Sequence, residues 1–563
     1  MAESANIARH LPQLAARQPD RPAVKIPSGR NPSGGIDYLT LSYAALDAEV
    51  DAWVGRLRDH GVQSGDRVLV MVRQGLPLIA AAFALFKLGA VPVIIDPGMG
   101  RRNFLACVAR SQPRVLLGVP LAQLMSHIFR PSFQSVAIRI RVSGSPTARL
   151  RESSQISNLK SRMAAPAALA PASPAALAAI LFTSGSTGAP KGVCYTHGMF
   201  DAQVRLVRET YAIEPGEVDL PMLPVFALFG PALGMTTIVP ELDPARPAAV
   251  DPEKIVRAIR QEQVTNSFGS PTLWRRIFDH CLAQGITLPS LRRVLCAGAA
   301  VPASLWTDAA RVLPNGRLHS PYGATEALPV ASVSSDEMEF DPRLGALVGR
   351  PLPANQVKII ALNDGVIATL ADARELPAGA VGEIIVTGPT VTTTYDQLPD
   401  ATARAKISSP DSRLPAPGSQ LGATSPVWHR LGDAGRLDES GRLWFCGRVA
   451  ERVETSAGVI HTEACEQVFR GHAGVARCAL IGLGPRGRQE PALVVETVTA
   501  TPPVNEARLA RDLRALALRH PHTAAIRKFF FHPALPVDVR HNAKIHRLSL
   551  AKWASANRPK ELP

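Results

Sequence analysis

No two cysteines stand at Cys-x-x-Cys spacing, and no His/Cys cluster has the spacing of zinc ligands. The seven cysteines (Cys107, Cys194, Cys281, Cys296, Cys446, Cys465 and Cys478) are scattered along the chain. Spacing therefore excludes a dithiol redox motif and a structural zinc site, and predicts buried free thiols in a reducing compartment. The opening stretch, MAESANIARHLPQLAARQPD, lacks the apolar core of a signal peptide. The most apolar run, Leu78 to Asp96, is broken by Lys87, Gly89 and Pro92. It reads as a buried helix running into a buried strand, not as a membrane span. These absences point to a cytoplasmic protein with no transmembrane segment. There is also no polybasic block. The formal net charge is +15, from 62 Lys and Arg against 47 Asp and Glu, but the basic residues are dispersed. A solvated basic surface explains that pattern, and no nucleic-acid partner is expected. No internal repeat is visible.

What is present is a chain of 563 residues, too long for one compact core, so two or more domains are expected. Hydrophobic residues at 46% and charged residues at 19% place it among folded globular proteins. An amphipathic helix (Ala44 to His60), an apolar strand (Arg67 to Val72), a second helix around Leu78 to Leu88 and a second strand (Val91 to Ile95) follow one another. Such alternation argues for an α/β fold with largely parallel sheets flanked by helices. Residues 143–178, ending in AAPAALAPASPAALA, read as a mobile low-complexity linker. Thr402 to Ser425 read as a polar surface insertion. After Gly447 the pattern restarts and runs to about Trp553, long enough for a small α+β domain. The expected division is 1–447 and 448–563.

The strongest signal is Thr183-Ser-Gly-Ser-Thr-Gly-Ala-Pro-Lys-Gly192, which follows the short strand Ala179 to Phe182. Gly185, Gly188 and Gly192 let the backbone approach a phosphate closely. Thr183, Ser184, Ser186 and Thr187 add hydroxyl donors, and Lys191 adds a point charge suited to pyrophosphate. The Walker A pattern is absent.

This loop resembles the phosphate loop of the acyl-adenylate-forming superfamily, which includes acyl-CoA synthetases, peptide-synthetase adenylation domains and luciferases. The resemblance runs along nearly the whole chain. Leu41-Ser-Tyr-Ala-Ala-Leu-Asp47, Gly65-Asp-Arg-Val68 and Leu88-Gly-Ala-Val-Pro92 resemble its opening segments. Tyr322-Gly-Ala-Thr-Glu326 resembles the motif that sets an aromatic ring against adenine, Thr325 on the α-phosphate and Glu326 toward Mg²⁺. Gly298-Ala-Ala300, after the apolar strand Arg293 to Cys296, resembles the adenine-contacting turn. Leu431-Gly-Asp433 resembles the Thr-Gly-Asp whose Asp accepts from both ribose hydroxyls, and Gly447-Arg448 the start of the inter-domain hinge. Asn542-Ala-Lys544 resembles the Gly-Lys of the small lid domain.

The resemblance implies an enzyme, an AMP-forming ligase, with ATP and Mg²⁺ as its cofactors. Lys544, Lys191 and Glu326 are the implied catalytic residues. Thr183, Ser184, Gly185, Ser186, Thr187, Gly188, Lys191, Gly298, Ala299, Tyr322, Gly323, Thr325, Asp433 and Arg448 are the implied nucleotide contacts. Glu326 and Thr187 are the implied metal ligands.

Four positions depart from the pattern. Leu431 replaces the Thr and Ala543 the Gly. Ala227 stands where many relatives carry a His near a thiol tunnel, and Ala450 where they carry a hinge Asp or Lys. The last two weaken an ordinary thioester-forming reading. More narrowly, four stretches resemble the β-lactone synthetase family of bacterial long-chain olefin biosynthesis: Phe83 to Val93, Asp96 to Arg102, Phe226 to Met235 and Pro536 to Lys544. That resemblance implies adenylation of a 2-alkyl-3-hydroxyalkanoic acid and its closure to a β-lactone, with release of AMP and pyrophosphate. It also implies assembly with other olefin-pathway enzymes. A long-chain fatty acyl-CoA synthetase or fatty acyl-AMP ligase is the alternative. Phe226, Phe229, Met235 and Phe268 are candidates to line an apolar acid pocket. His197 and His319 lie near motifs, but no base for the hydroxyl is readable.

Overall fold

The computed structural model describes residues 4–147, 166–183, 189–223, 228–243, 246, 249–408, 427–499, 504–537 and 545–561. Two sheets build the first four-fifths of the chain. One has six strands, in the spatial order Ile138–Arg141, Val115–Gly118, Arg67–Met71, Val91–Ile95, Leu177–Thr183, Lys191–Thr196. All its pairings are parallel except the last. The helix Leu76–Leu88 carries apolar residues on every side and is buried along its length, as its Leu/Ala/Phe-rich composition requires. It stops at Gly89, whose φ of +79° is the left-handed cap that glycine adopts freely. Its one cation, Lys87, is buried and pairs with Asp51 at 2.5 Å and Asp47 at 3.1 Å on the helix Tyr43–Asp59.

The second sheet has fifteen strands. Its middle is parallel: Val218–Pro221, Asn266–Gly269, Arg293–Cys296 and Arg317–Ala324 lie side by side. Helices Pro271–Ala283 and Ala303–Val312 make two of the crossovers. From Ala327–Ser334 onward the sheet is antiparallel. The change from parallel to antiparallel falls at the hairpin that carries the Tyr322 motif. Ligands of α/β sheets gather at the carboxyl ends of strands, where topology switches.

Beyond Arg448 the chain builds a four-stranded sheet of its own: Val475–Leu483, Glu490–Thr497, Lys528–Phe531, Lys560–Glu561. Helices Thr462–Arg470, Glu506–Ala517 and Arg547–Ser555 flank it. Two apolar clusters there, one around Phe469 and Phe529 and one around Ile481 and Leu550, draw only on residues after 452. Arg547 ties the helix Arg547–Ser555 to Glu451 at 2.9 Å and to Glu466 of the helix Thr462–Arg470 at 2.7 Å. Among the described residues no helix is long and apolar enough to cross a membrane. All seven cysteines are free and buried.

Two expectations are corrected. The described end of the supposedly mobile linker, residues 166–176, is pinned. Ala170 N–H donates to Lys87 O at 2.8 Å, Ala5 N–H donates to Ala172 O at 2.9 Å, and the Asn6 amide donates to Ala170 O at 3.1 Å. Small apolar residues fit between a helix end and the N-terminal segment, so low complexity here marks close packing; residues 148–165 lie outside the described residues. The polar insertion begins later than 402. Pro399–Ala405 is a helix and Lys406–Ser408 a strand paired with Val427–Leu437, with Ile407 buried in one cluster with Trp428. Residues 409–426 lie outside the described residues.

Candidate active site

Leu177–Thr183 and Lys191–Thr196 pair antiparallel, with Thr183 opposite Lys191. The Gly/Ser/Thr loop is thus the connection between two hydrogen-bonded strands, and Lys191 stands at its base. Ser184, Gly185, Ser186, Thr187 and Gly188 lie outside the described residues, as does the Thr183 side chain. The Lys191 ammonium sits 4.8 Å from the centroid of the Tyr395 ring, in cation–π contact. Tyr395 arrives there because its segment crosses the lysine's strand. Val193 and Tyr395 form an antiparallel bridge, and Asp396 N–H donates to Gly192 O at 2.7 Å. The buried Asp396 carboxylate pairs with Arg67 at 2.8 Å. The Tyr395 hydroxyl donates to Glu326 Oε1 at 2.7 Å. Burial and the Glu326 charge hold that phenol far above its ordinary value, so it remains a donor.

Glu326 is placed by a tight hairpin. Ala324 faces Ala327 across the strands Arg317–Ala324 and Ala327–Ser334, which leaves Thr325 and Glu326 as a two-residue turn. Gly323 permits it, since a Cβ there would stand 2.4 Å from Ala327 O. The turn is held from outside: Tyr195 Oη donates to Thr325 O, and Thr392 N–H donates to Glu326 O at 2.9 Å. On the same hairpin the Tyr322 hydroxyl donates to Asp433 Oδ2 at 2.6 Å.

Asp433 and Arg448 are opposite each other in register, and their side chains meet at 2.8 Å. The Asp433 carboxylate holds the Arg448 guanidinium above its ordinary value, and the field of Glu326 reaches Arg448 as well. Burial, reinforced by the Asp433 charge, raises Tyr322 in the same way. Leu431, in place of the expected threonine, is buried with Ala327, Val330 and Ile384, so an apolar core absorbs the departure. Gly298 follows the strand Arg293–Cys296 with φ of +98°, a turn that favours glycine, and Ala299 is half-buried beside it.

The structure therefore brings Lys191, Glu326, Tyr322, Gly323, Thr325, Asp433 and Arg448 together through short contacts. Lys544 and Phe226 lie outside the described residues. Of the other pocket candidates, Phe229 lines an apolar cavity, while Met235 and Phe268 are buried in the central core cluster. His197 accepts from Ile7 N–H at 3.2 Å, and His319 packs edge-on against Tyr211. Burial pushes both imidazoles down to about 4, so both are neutral structural groups.

Sequence reasoning missed two residues. Tyr395 joins Lys191 to Glu326 but belongs to no glycine-rich signature. Lys406 is buried, donates to Thr392 O and to Thr392 Oγ1 at 3.0 Å, and lies 5.8 Å from the Tyr395 ring centroid. Burial pushes Lys406 down to about 7; Glu326 opposes the shift and Lys191 adds to it. The available signal was a lysine between Ala405 and Ile407, two apolar neighbours, at the end of an alanine-rich helix.

Known proteins share this architecture. The family described as AMP-binding enzyme matches residues 11–396. The chain is 42% identical over 570 residues to an olefin beta-lactone synthetase of Xanthomonas campestris, covering 99% of both chains. It is 43% identical over 572 residues to an olefin beta-lactone synthetase of Stenotrophomonas maltophilia, again over 99% of both. In fold it is similar to the amide bond synthetase McbA of Marinactinospora thermotolerans, with a TM-score of 0.76 at 23% identity, covering 98% of this chain and 100% of that one.

Proposed function

The chain belongs to the AMP-binding enzyme family, and from that premise we propose that it is an ATP-dependent β-lactone synthetase acting on a long-chain 2-alkyl-3-hydroxyalkanoic acid. The observation that carries the reading is full-length similarity at 42–43% identity to two olefin beta-lactone synthetases.

Two steps make up the reaction. A carboxylate oxygen attacks the α-phosphorus of ATP, the bond from that phosphorus to the α,β-bridging oxygen breaks, and pyrophosphate leaves. The 3-hydroxyl oxygen then attacks the acyl carbon of the mixed anhydride, AMP leaves, and the hydroxyl proton passes to solvent or to the departing phosphate. Capture within one molecule needs no second substrate, and effective molarities for well-placed groups are high enough to close a strained ring.

Each residue has a role in this scheme. The donors of Thr183 to Gly188 and the Lys191 ammonium hold the β- and γ-phosphates. Tyr322 and the Gly298-Ala299 turn take the adenine, Thr325 the α-phosphate, and Asp433 with Arg448 the ribose. Lys544, brought by the unit that starts at Arg448, offsets charge that develops at the reacting carboxylate and α-phosphate. Glu326 and Thr187 suit Mg²⁺. One carboxylate and one hydroxyl leave room for phosphate oxygens and water, the usual surroundings of this ion, and among the described residues no cluster of three acidic, His or Cys ligands competes for it. When bound, Mg²⁺ neutralises phosphate charge. The protein works in the cytoplasm, next to the enzymes that supply its hydroxy acid and consume its lactone.

Mass spectrometry of the product tests the reading. With ATP, Mg²⁺ and a synthetic 2-alkyl-3-hydroxy acid, and without coenzyme A, the expected product is the acid less one water, formed with stoichiometric AMP. A product that appears only as a coenzyme A thioester overturns it.

A further inference from the structure

An apolar cavity of about 130 Å³ lies between the six-stranded sheet and the helices that cover it. Leu181 of the strand Leu177–Thr183, Phe83 of the helix Leu76–Leu88, Phe200 and Val204 of the helix His197–Thr210, and Phe229 and Ala232 of the short helix Phe229–Leu233 all face it. None of these walls carries a charge or a hydrogen-bonding side chain. Interiors are normally packed without such gaps, and an apolar void of about 150 Å³ stays dry and admits a six-carbon hydrocarbon.

The cavity adjoins the reaction site along two paths. Leu181 is two residues from Thr183, where the phosphate loop begins, about 7 Å along an extended strand. Phe200 stacks on Tyr195 with centroids 4.9 Å apart, and Tyr195 holds the Thr325 carbonyl of the catalytic hairpin. Gln203, on the same helix as Phe200 and Val204, donates to Leu328 O of that hairpin at 3.0 Å. Phe268, by contrast, sits in a strand of the large sheet, beside the strand that leads to Gly298. A linear acid needs one apolar channel; an acid branched at carbon 2 needs two directions for hydrocarbon.

We propose that this cavity receives the distal carbons of one of the two alkyl branches of the substrate and so sets the length preferred for that branch. The proposal rests on the β-lactone reading above. The chain end displaces no water and makes only dispersion contacts, so each methylene it buries counts about fourfold in kcat/KM.

The test measures AMP release with two series of acids, one varying the carbon-2 branch and one varying the chain beyond carbon 3. Val204→Phe and Ala232→Phe fill the cavity from different helices, and Phe200→Ala enlarges it. The readout is the long-to-short ratio of kcat/KM within each series, which loss of folded enzyme does not alter. At least one filling variant is expected to lower the ratio by about tenfold or more for one branch only, and Phe200→Ala to move that branch's optimum to longer chains. The proposal is overturned if neither filling variant moves either ratio, or if both ratios fall together. Failure of the parent enzyme to release AMP with any branched hydroxy acid instead overturns the β-lactone reading, and the proposal with it.

Discussion

At the scale of the residue, one tyrosine and one carboxylate organise the site. Tyr395 supports Lys191 with its ring and Glu326 with its hydroxyl. Tyr395→Phe keeps the ring and removes a hydrogen bond to a charged group, worth about 1.5–3 kcal/mol. Adenylation should fall by about tenfold or more, with a raised Mg²⁺ requirement, in a pyrophosphate-exchange assay titrated with the metal. Asp433 accepts from Tyr322 and pairs with Arg448. Asp433→Asn leaves Arg448 without its counter-charge and costs the ribose an acceptor. The KM for ATP should rise by about tenfold or more, and an unchanged KM would contradict the assignment.

Lys406 adds a pH signature. Its folded value lies near 7 and its unfolded value near 10.5, so the unfolded chain holds the proton more tightly between those limits. The burial penalty is fully present below about pH 7 and is relieved as pH rises toward 10.5. Relative to Lys406→Met, the parent protein should therefore gain stability between pH 7 and 9.5, by up to roughly 3 kcal/mol, in urea unfolding.

The hydroxyl donors of Thr183, Ser184, Ser186 and Thr187 lie outside the described positions, so the sequence remains their source. Tyr395 and Lys406 run the other way. Tyr395 owes its role to a strand crossing that brings it to Lys191, some two hundred positions away, and Lys406 reaches the site only through Thr392 and Tyr395, which no local pattern encodes.

At the scale of the element, periodicity located the helix Leu76–Leu88 and the strands Val91–Ile95 and Arg293–Cys296 to within two residues. In each case burial and composition agree with the local pattern. The helix Pro399–Ala405 was hidden because it is only seven residues long and opens on Pro-Asp, which reads as a turn; pairing of the strand that follows it with Val427–Leu437 overrides that weak local signal. Gly447 joins the large sheet to the C-terminal unit by a close approach. Its φ is +133°, and a Cβ there would stand 2.2 Å from Thr462 Oγ1 on the first helix of the C-terminal unit. Gly447→Ala should displace that helix and lower adenylation by about tenfold or more while the large sheets stay folded. Limited proteolysis within 448–461, measured alongside pyrophosphate exchange, checks this: faster cleavage with lost exchange is expected, and parental behaviour in both would refute the close-approach argument.

At the scale of the whole molecule, the alternation of strand and helix foretold an α/β fold, and the restart after Gly447 foretold a separately cored α+β unit. The fifteen-strand sheet, with its change from parallel to antiparallel at the Tyr322 hairpin, was not legible, because register and strand order depend on long-range pairing. The hairpin at that change carries both Glu326, which meets Tyr395 beside Lys191, and Tyr322, which meets Asp433. The net charge of +15 comes from basic residues dispersed along the sequence and plays no part in the site's chemistry.

The central claim is that a carboxylate oxygen of the substrate is handed to AMP before the ring closes. It is tested most directly by turnover of a 2-alkyl-3-hydroxy acid labelled with oxygen-18 at both carboxylate oxygens. The account predicts one label in AMP and the other in the lactone carbonyl, with an unlabelled ring oxygen. Unlabelled AMP, or both labels retained in the lactone, would contradict it.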